Sequence, residues 1–217
     1  MAKNKKETVL CFGAHGDDLE IAMGGTLAKY SSQGHRVIAV VMTSGEKGNP
    51  WLKEEVIVEE RQKEVNKIGK FLGCTETFIL GLKDGDLEEY IKNKNIINRI
   101  ESMIRKYRPT KIFVHSLKDA HKDHRAVNEI IFNALKICDK KNKISVFTFE
   151  VWNLLNESEP RMYVNINKTF IKKLKALTMF KSQRIYVYIL FLQVIVRAIG
   201  SGIHNSCLFA ERFYKVK

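Results

Sequence analysis

His15, Asp17 and Asp18 fall within four consecutive positions, directly after the apolar run Val9-Leu10-Cys11-Phe12. A second group, His121, Asp123 and His124, follows another apolar run, Ile112-Phe113-Val114. Neutral imidazole and carboxylate are the groups that hold catalytic zinc, three of them from the protein with one position left to water. Water on such an ion has its pKa lowered towards ~7, so hydroxide forms at neutral pH. His15 and Asp18 can supply two ligands from one strand-end turn, and His124 the third. Asp17 is then left as a general base for the water. His121 can act from the other side, as an imidazolium that stabilises an oxyanion and protonates a leaving amine. Asp123 is placed to orient one of the histidines. Zn2+ is the first expectation. Two His and one carboxylate also describe the facial triad of iron(II) oxygenases, so Fe2+ stays open.

Such a site needs two segments a hundred residues apart to meet, and the elements around them say how. Thr8–Ala14 reads as a buried parallel strand, Arg36–Thr43 as a second, Glu76–Leu80 as a third and Lys111–His115 as a fourth. Lys143–Trp152, Pro160–Ile166 and Cys207–Phe213 complete the strands. Gly24-Gly25 reads as a break, with Thr26 capping a helix that ends near Gln33 and Gly34. Further helices are expected over Glu54–Leu72, Ile91–Tyr107, Asp123–Cys138, Lys168–Phe180 and Ser182–Ile199. Strands alternating with helices predict an α/β fold: a Rossmann-like, mostly parallel sheet with helices on both faces. Ligands of such sheets bind at the C-terminal ends of the strands, where both His/Asp groups fall.

The chain has 217 residues, 45% of them hydrophobic, enough for one domain over 1–217 with a substantial core. The formal net charge of +13 comes from lysines spread along the whole chain. That is the pattern of a solvated basic surface, with attraction to an anionic substrate or membrane surface as the minor reading. Zinc-finger, RNP and basic-zipper patterns are absent, which argues against nucleic acid as a partner. Cys11, Cys74, Cys138 and Cys207 lie far apart with no CxxC pair, as for free thiols in a reducing cytoplasm. The basic N-terminus, Met1 to Lys6, is followed by too short an apolar run for a signal peptide. The longest apolar stretch, Ile185–Ile199, carries Gln193 and Arg197 and is shorter than a membrane span requires, which points to a buried helix or a homo-oligomer interface, with contact to a membrane or a lipid-bearing substrate as the minor reading.

Phe12-Gly-Ala-His15-Gly-Asp17-Asp18-Leu-Glu20, followed by Gly24-Gly25-Thr26, resembles the opening motif of the PIG-L/LmbE-like deacetylases. Asp119-Ala-His121-Lys-Asp123-His124 resembles their second motif. Thr43-Ser-Gly45-Glu46, Arg61-Gln-Lys-Glu64, Leu80-Gly-Leu-Lys-Asp84-Gly85, Glu150-Val-Trp152, Lys181-Ser182-Gln183 and Ala210-Glu211 agree in order with weaker markers. The resemblance implies a zinc-dependent enzyme that removes the acetyl group from N-acetylglucosamine units. It implies His15, Asp18 and His124 as metal ligands, Asp17 as base and His121 as the polarising or acid residue. Glu46, Arg61 and Asp84 would lie near the sugar. Gly16 departs from the family, which usually has proline there.

Other readings compete for several positions. A surface ion pair with Glu64 is an alternative for Arg61, and a solvated carboxylate for Glu46. His115 reads as a strand-end packing residue close to the site, His35 as a surface residue, and His204 as a loop residue that can reach a neighbouring subunit. Two rival functions share the residue pattern: an iron-dependent oxygenase, and a sugar- or nucleotide-binding protein without turnover.

Overall fold

Apolar β-branched runs become the central strands of a seven-stranded sheet ordered β3-β2-β1-β4-β5-β7-β6. The computed structural model describes residues 6–48, 53–152, 158–182 and 184–217. Its strands are β1 (Thr8–Gly13), β2 (Arg36–Thr43), β3 (Glu76–Leu82), β4 (Lys111–His115), β5 (Ser145–Phe149), β6 (Arg161–Asn165) and β7 (Ala210–Lys215). The helices are α1 (Asp18–Ser32), α2 (Glu54–Leu72), α3 (Lys94–Tyr107), α4 (Lys122–Cys138), α5 (Phe170–Leu177) and α6 (Arg184–His204). β1 to β5 run parallel, while β7 is antiparallel to both β5 and β6. Val9 to Phe12 are fully buried, because a central parallel strand is covered on both faces. One core packs α1, α2, α5 and α6 on one face of the sheet, and α3 and α4 pack on the other.

The order 3-2-1 then 4-5 reverses between β1 and β4, which pair directly, Cys11 opposite Phe113. A crevice opens beyond the carboxyl ends of strands at such a reversal. The two His/Asp segments are the chain that leaves β1 and the chain that follows β4, so topology brings them together.

Several boundaries depart from expectation. α1 starts at Asp18 rather than at Thr26, and Gly24-Gly25 lies inside it. The break that the glycines suggested is at Met23, whose φ of −141° is not helical. Past it, the freed N–H groups of Gly25 and Thr26 donate to Glu211 Oε1 (3.0 Å) and Oε2 (2.6 Å). The cap of this second half is therefore a carboxylate 185 residues away in sequence, which no local pattern reveals. β5 ends at Phe149 instead of Trp152, and β3 runs on to Leu82. α3 begins at Lys94, where Asn93 Oδ1 accepts the N–H groups of Asn95 and Ile96. α6 spans 21 residues, longer than the apolar run had suggested. Residues 1–5 of the basic terminus and Gln183 of the Lys181-Ser182-Gln183 marker lie outside the described residues.

Glu211 also pairs with Lys173 Nζ at 2.6 Å, and both side chains are 3% exposed. Glu211→Ala strands a buried ammonium and two N–H groups, so it is expected to cost about 3–5 kcal/mol. A urea titration should show this as a lower midpoint, and Lys173→Met added to Glu211→Gln should recover part of it.

Candidate active site

The turn after β1 delivers His15, Asp17 and Asp18, and Asp18 opens α1. His15 N–H donates to Asp18 Oδ2 at 2.8 Å, which folds the turn back on itself. From β4, the loop 116–121 leads into α4, where His121 is the N-cap and its Nδ1 accepts the Asp123 N–H at 3.2 Å. His124 follows in the first turn of α4. Its Nε2 lies 3.4 Å from Asp18 Oδ1, and the nitrogen and oxygen ligand atoms of His15, Asp18 and His124 all fall within 4.8 Å of one another. Two overlapping groups share this density, His15–His121–Asp123 and His115–Asp119–His124.

Carboxylates surround the rings. His15 Nε2 lies 3.2 Å from Asp84 Oδ1 and 3.3 Å from Asp123 Oδ2, and its Nδ1 lies 3.4 Å from Asp18 Oδ2. Burial lowers the His15 pKa, but Asp18, Asp123 and Asp84 outweigh it and raise the ring well above its usual value. His124 behaves alike: burial opposes, Asp18 and Asp119 prevail, and its pKa rises to about 9. Burial works against the Asp18 charge, yet His124, His115 and His15 hold that carboxyl well below the usual range. These groups converge on a place that calls for positive charge. Among the described residues, Nε2 of the fully buried His124 has no aligned hydrogen-bond partner, while its Nδ1 faces Asp119 Oδ2. An unspent imidazole nitrogen beside ionised carboxylates belongs to a donor set that fits a divalent metal.

Asp17 differs from its neighbour. Burial and the Asp18 charge raise it to about 6, against Arg61 and His15. Glu20, one turn further, is pushed by burial to about 8. Burial, His124 and His15 lower the His121 pKa below its usual value, a direction that works against the imidazolium expected from sequence. Since Nδ1 accepts the Asp123 N–H, that ring's proton belongs on Nε2.

Asp123 does more than orient a histidine. It accepts the N–H groups of Gly85 (2.7 Å) and Leu87 (3.1 Å), fixing the loop after β3, and these bonds with His15 lower its pKa to about 2 against burial. Asp84 rides on that loop. Its N–H donates to Glu46 Oε1 at 2.7 Å, while Glu46 Oε2 is buried without a partner among the described residues. Glu46 is thus no solvated carboxylate. Arg61 is 4% exposed, which sets aside the surface ion pair; it faces Asp17 and Asp84, while Glu64 binds the backbone of Lys181 and Ser182. Room for Arg61 comes from Gly45, at φ +72°, where a Cβ would stand 2.7 Å from Arg61 Cδ.

His115 is a packing residue, fully buried and stacked on His124 at 3.9 Å between centroids. Its Nε2 accepts the Ala14 N–H at 3.0 Å, and burial and His124 keep it neutral, with a pKa of about 4. His35 Nδ1 accepts the Glu7 N–H, and His204 stacks on Tyr163 at the end of α6 rather than sitting in a loop. The reading of single residues missed Asp119, whose Oδ2 lies 3.1 Å from His124 Nδ1. Its position in the same short segment was the available signal, since metal-binding histidines take a carboxylate on their other nitrogen.

Gly16 also has a local reason. A Cβ there would stand 2.9 Å from Val65 Cγ2, a stiff side chain on α2. Gly16→Ala is expected to cost about 1–3 kcal/mol by overpacking and distinctly less in a Val65→Ala background. A thermal-unfolding double-mutant cycle measures that coupling.

The chain matches the family model "GlcNAc-PI de-N-acetylase" (PIG-L) over residues 10–135. The uncharacterized deacetylase YaiS of Escherichia coli K12 is 28% identical over 185 residues, covering 82% of this chain and 93% of that protein. The N,N'-diacetylchitobiose deacetylase of Pyrococcus horikoshii superposes with a TM-score of 0.83 at 22% identity, over 98% of this chain and 84% of the other. GalB, the 4-carboxy-2-hydroxymuconate hydratase of Pseudomonas putida KT2440, has the same fold, with a TM-score of 0.82 at 19% identity over 97% and 96% of the two chains. The chain belongs to the PIG-L family.

Proposed function

We propose that this PIG-L family member is a metal-dependent hydrolase. It removes the N-acetyl group from an N-acetylglucosamine-containing small molecule or oligosaccharide, giving acetate and a free amine. The observation that carries this reading is the meeting of His15, Asp18 and His124 at the β1/β4 reversal beside the perturbed carboxylate of Asp17. His15, Asp18 and His124 would hold the ion, Zn2+ first and Fe2+ by the same donor set. When bound, it would acidify water and polarise the acetamide carbonyl. Asp17 takes the proton of the attacking water and returns it to the departing amine, a role suited to a carboxyl with a pKa of about 6. His121 donates from Nε2 to the oxygen on which negative charge develops. Asp123 and Asp119 fix the His15 and His124 rings.

Arg61 steers Asp17, Asp84 takes a sugar hydroxyl, and Glu46 holds the loop that carries Asp84. A cleft of about 600 Å³ opens beside Glu46, bounded by Ser44, Lys47, Gln62, Lys83 and Tyr90, with room for the rest of the molecule.

Acetate release from N-acetylglucosamine, its oligosaccharides and its glycosides, followed in air and under argon, tests the reading. Equal release in both atmospheres is expected. A need for dioxygen would establish the oxygenase instead, binding without release a sugar-binding protein, and turnover of an unsaturated dicarboxylate alone a hydratase.

A further inference from the structure

Helix α6 has two apolar sides. Val187, Leu190, Val194 and Ala198 are buried in the core shared with α1, α2 and α5. On the outside, Ile189, Leu192, Val196, Ile199 and Ile203 recur every three or four residues, which places them in one stripe, and they are between 43% and 74% exposed. The stripe runs about 21 Å along the helix. Leu208, 71% exposed, follows just beyond it. An apolar strip of this length is more than single scattered exposed residues, and marks a surface with a partner.

Charge selects the partner. From Pro160 to Glu211 the chain has eight Lys and Arg residues and one carboxylate, Glu211, which neutralises the buried Lys173, so this segment carries +7 of the +13 net charge. Lys175 and Lys181, both exposed, lie on α5 and just ahead of α6. A second copy docking by the same stripe would set two such segments against each other. An anionic bilayer is attracted by the charge and receives the stripe. The window Val187–His204, with a mean hydropathy of 1.6, is long and apolar enough to cross a membrane, but its inner side chains are core. Gln193 Nε2 and Arg197 Nη1 also hold the carbonyls of Trp152 (2.9 Å) and Val151 (2.7 Å). The helix therefore lies on a surface rather than spanning it.

We infer that the outer face of α6 docks this protein on anionic phospholipid bilayers. Trp152, 38% exposed and held through its carbonyl by Gln193, adjoins this face just after β5, which pairs with β4. The inference stands independently of the hydrolase reading, because its test measures binding and not turnover.

The full chain is sedimented with vesicles of phosphatidylglycerol and phosphatidylcholine in equal parts, and with pure phosphatidylcholine vesicles. Binding at least about tenfold tighter to the anionic vesicles, falling with salt, is expected, at roughly fivefold per basic residue near the surface. Leu192→Glu/Val196→Glu should lose about tenfold or more. Lys175→Glu/Lys181→Glu, which changes only exposed side chains, should weaken binding about 25-fold or more and keeps the test open if the stripe variant fails to fold. Binding indifferent to lipid charge, equal binding by wild type and both variants, or a stable dimer broken by the stripe variant without vesicle binding would overturn the inference.

Discussion

Asp17→Ala is expected to lower the rate of acetate release by about 10²–10⁴-fold while leaving the bound metal at wild-type stoichiometry. The two halves of this result come from the different surroundings of two adjacent carboxylates. Asp18 is held ionised by His124 and His15, and by the proposed ligand set its loss takes away a ligand. Asp17 faces Arg61 and is raised by burial and by Asp18 to about 6, which suits it to take up a proton where Asp18 does not. Asp17→Asn, which keeps the shape but cannot take the proton, should be as inactive as the alanine variant. Single-turnover acetate assays with metal analysis of the same samples check both. Loss of metal in Asp17→Asn would move this residue into the ligand set.

His124→Gln should have the second large effect, acting on affinity before rate. Losing a partner that merely orients a ligand costs about 10–100-fold in metal affinity, and losing the ligand itself should exceed that. Asp119→Asn, which changes only the group facing His124 Nδ1, should fall within that smaller range. Calorimetric zinc titration of the two variants orders them. Equal affinity of His124→Gln and wild type would show that the ion is held by another of the overlapping groups, such as His15–His121–Asp123. Circular dichroism confirms that the core survives, since His124 is stacked on His115.

The sequence carried most of this architecture because its chemistry sits at strand ends. The apolar runs before His15 and before His115 are β1 and β4, and their adjacency at the reversal follows from the alternation of strands and helices. Contacts between distant segments were less legible. Glu211 capping the second half of α1, Asp123 pinning the loop at Gly85 and Leu87, and Glu46 accepting the Asp84 N–H all join positions far apart in sequence. Nothing local announces them. Arg61 shows the limit well: its helical position suits a surface pair, and only the path of the Gly45 turn makes it a buried neighbour of Asp17. α6 was legible only in part. Its apolar run reads as a buried helix or an interface, and which side chains are core and which are outside depends on how the helix packs on α1, α2 and α5.

If one divalent ion held by His15, Asp18 and His124 makes this chain an amide hydrolase, acetate release from N-acetylglucosamine derivatives by chelator-treated protein titrated with zinc must follow the metal. Negligible release without metal and full restoration at one equivalent per chain are expected. Release that persists in the chelated protein, or zinc that binds at one equivalent and restores none, would contradict this role of the ion.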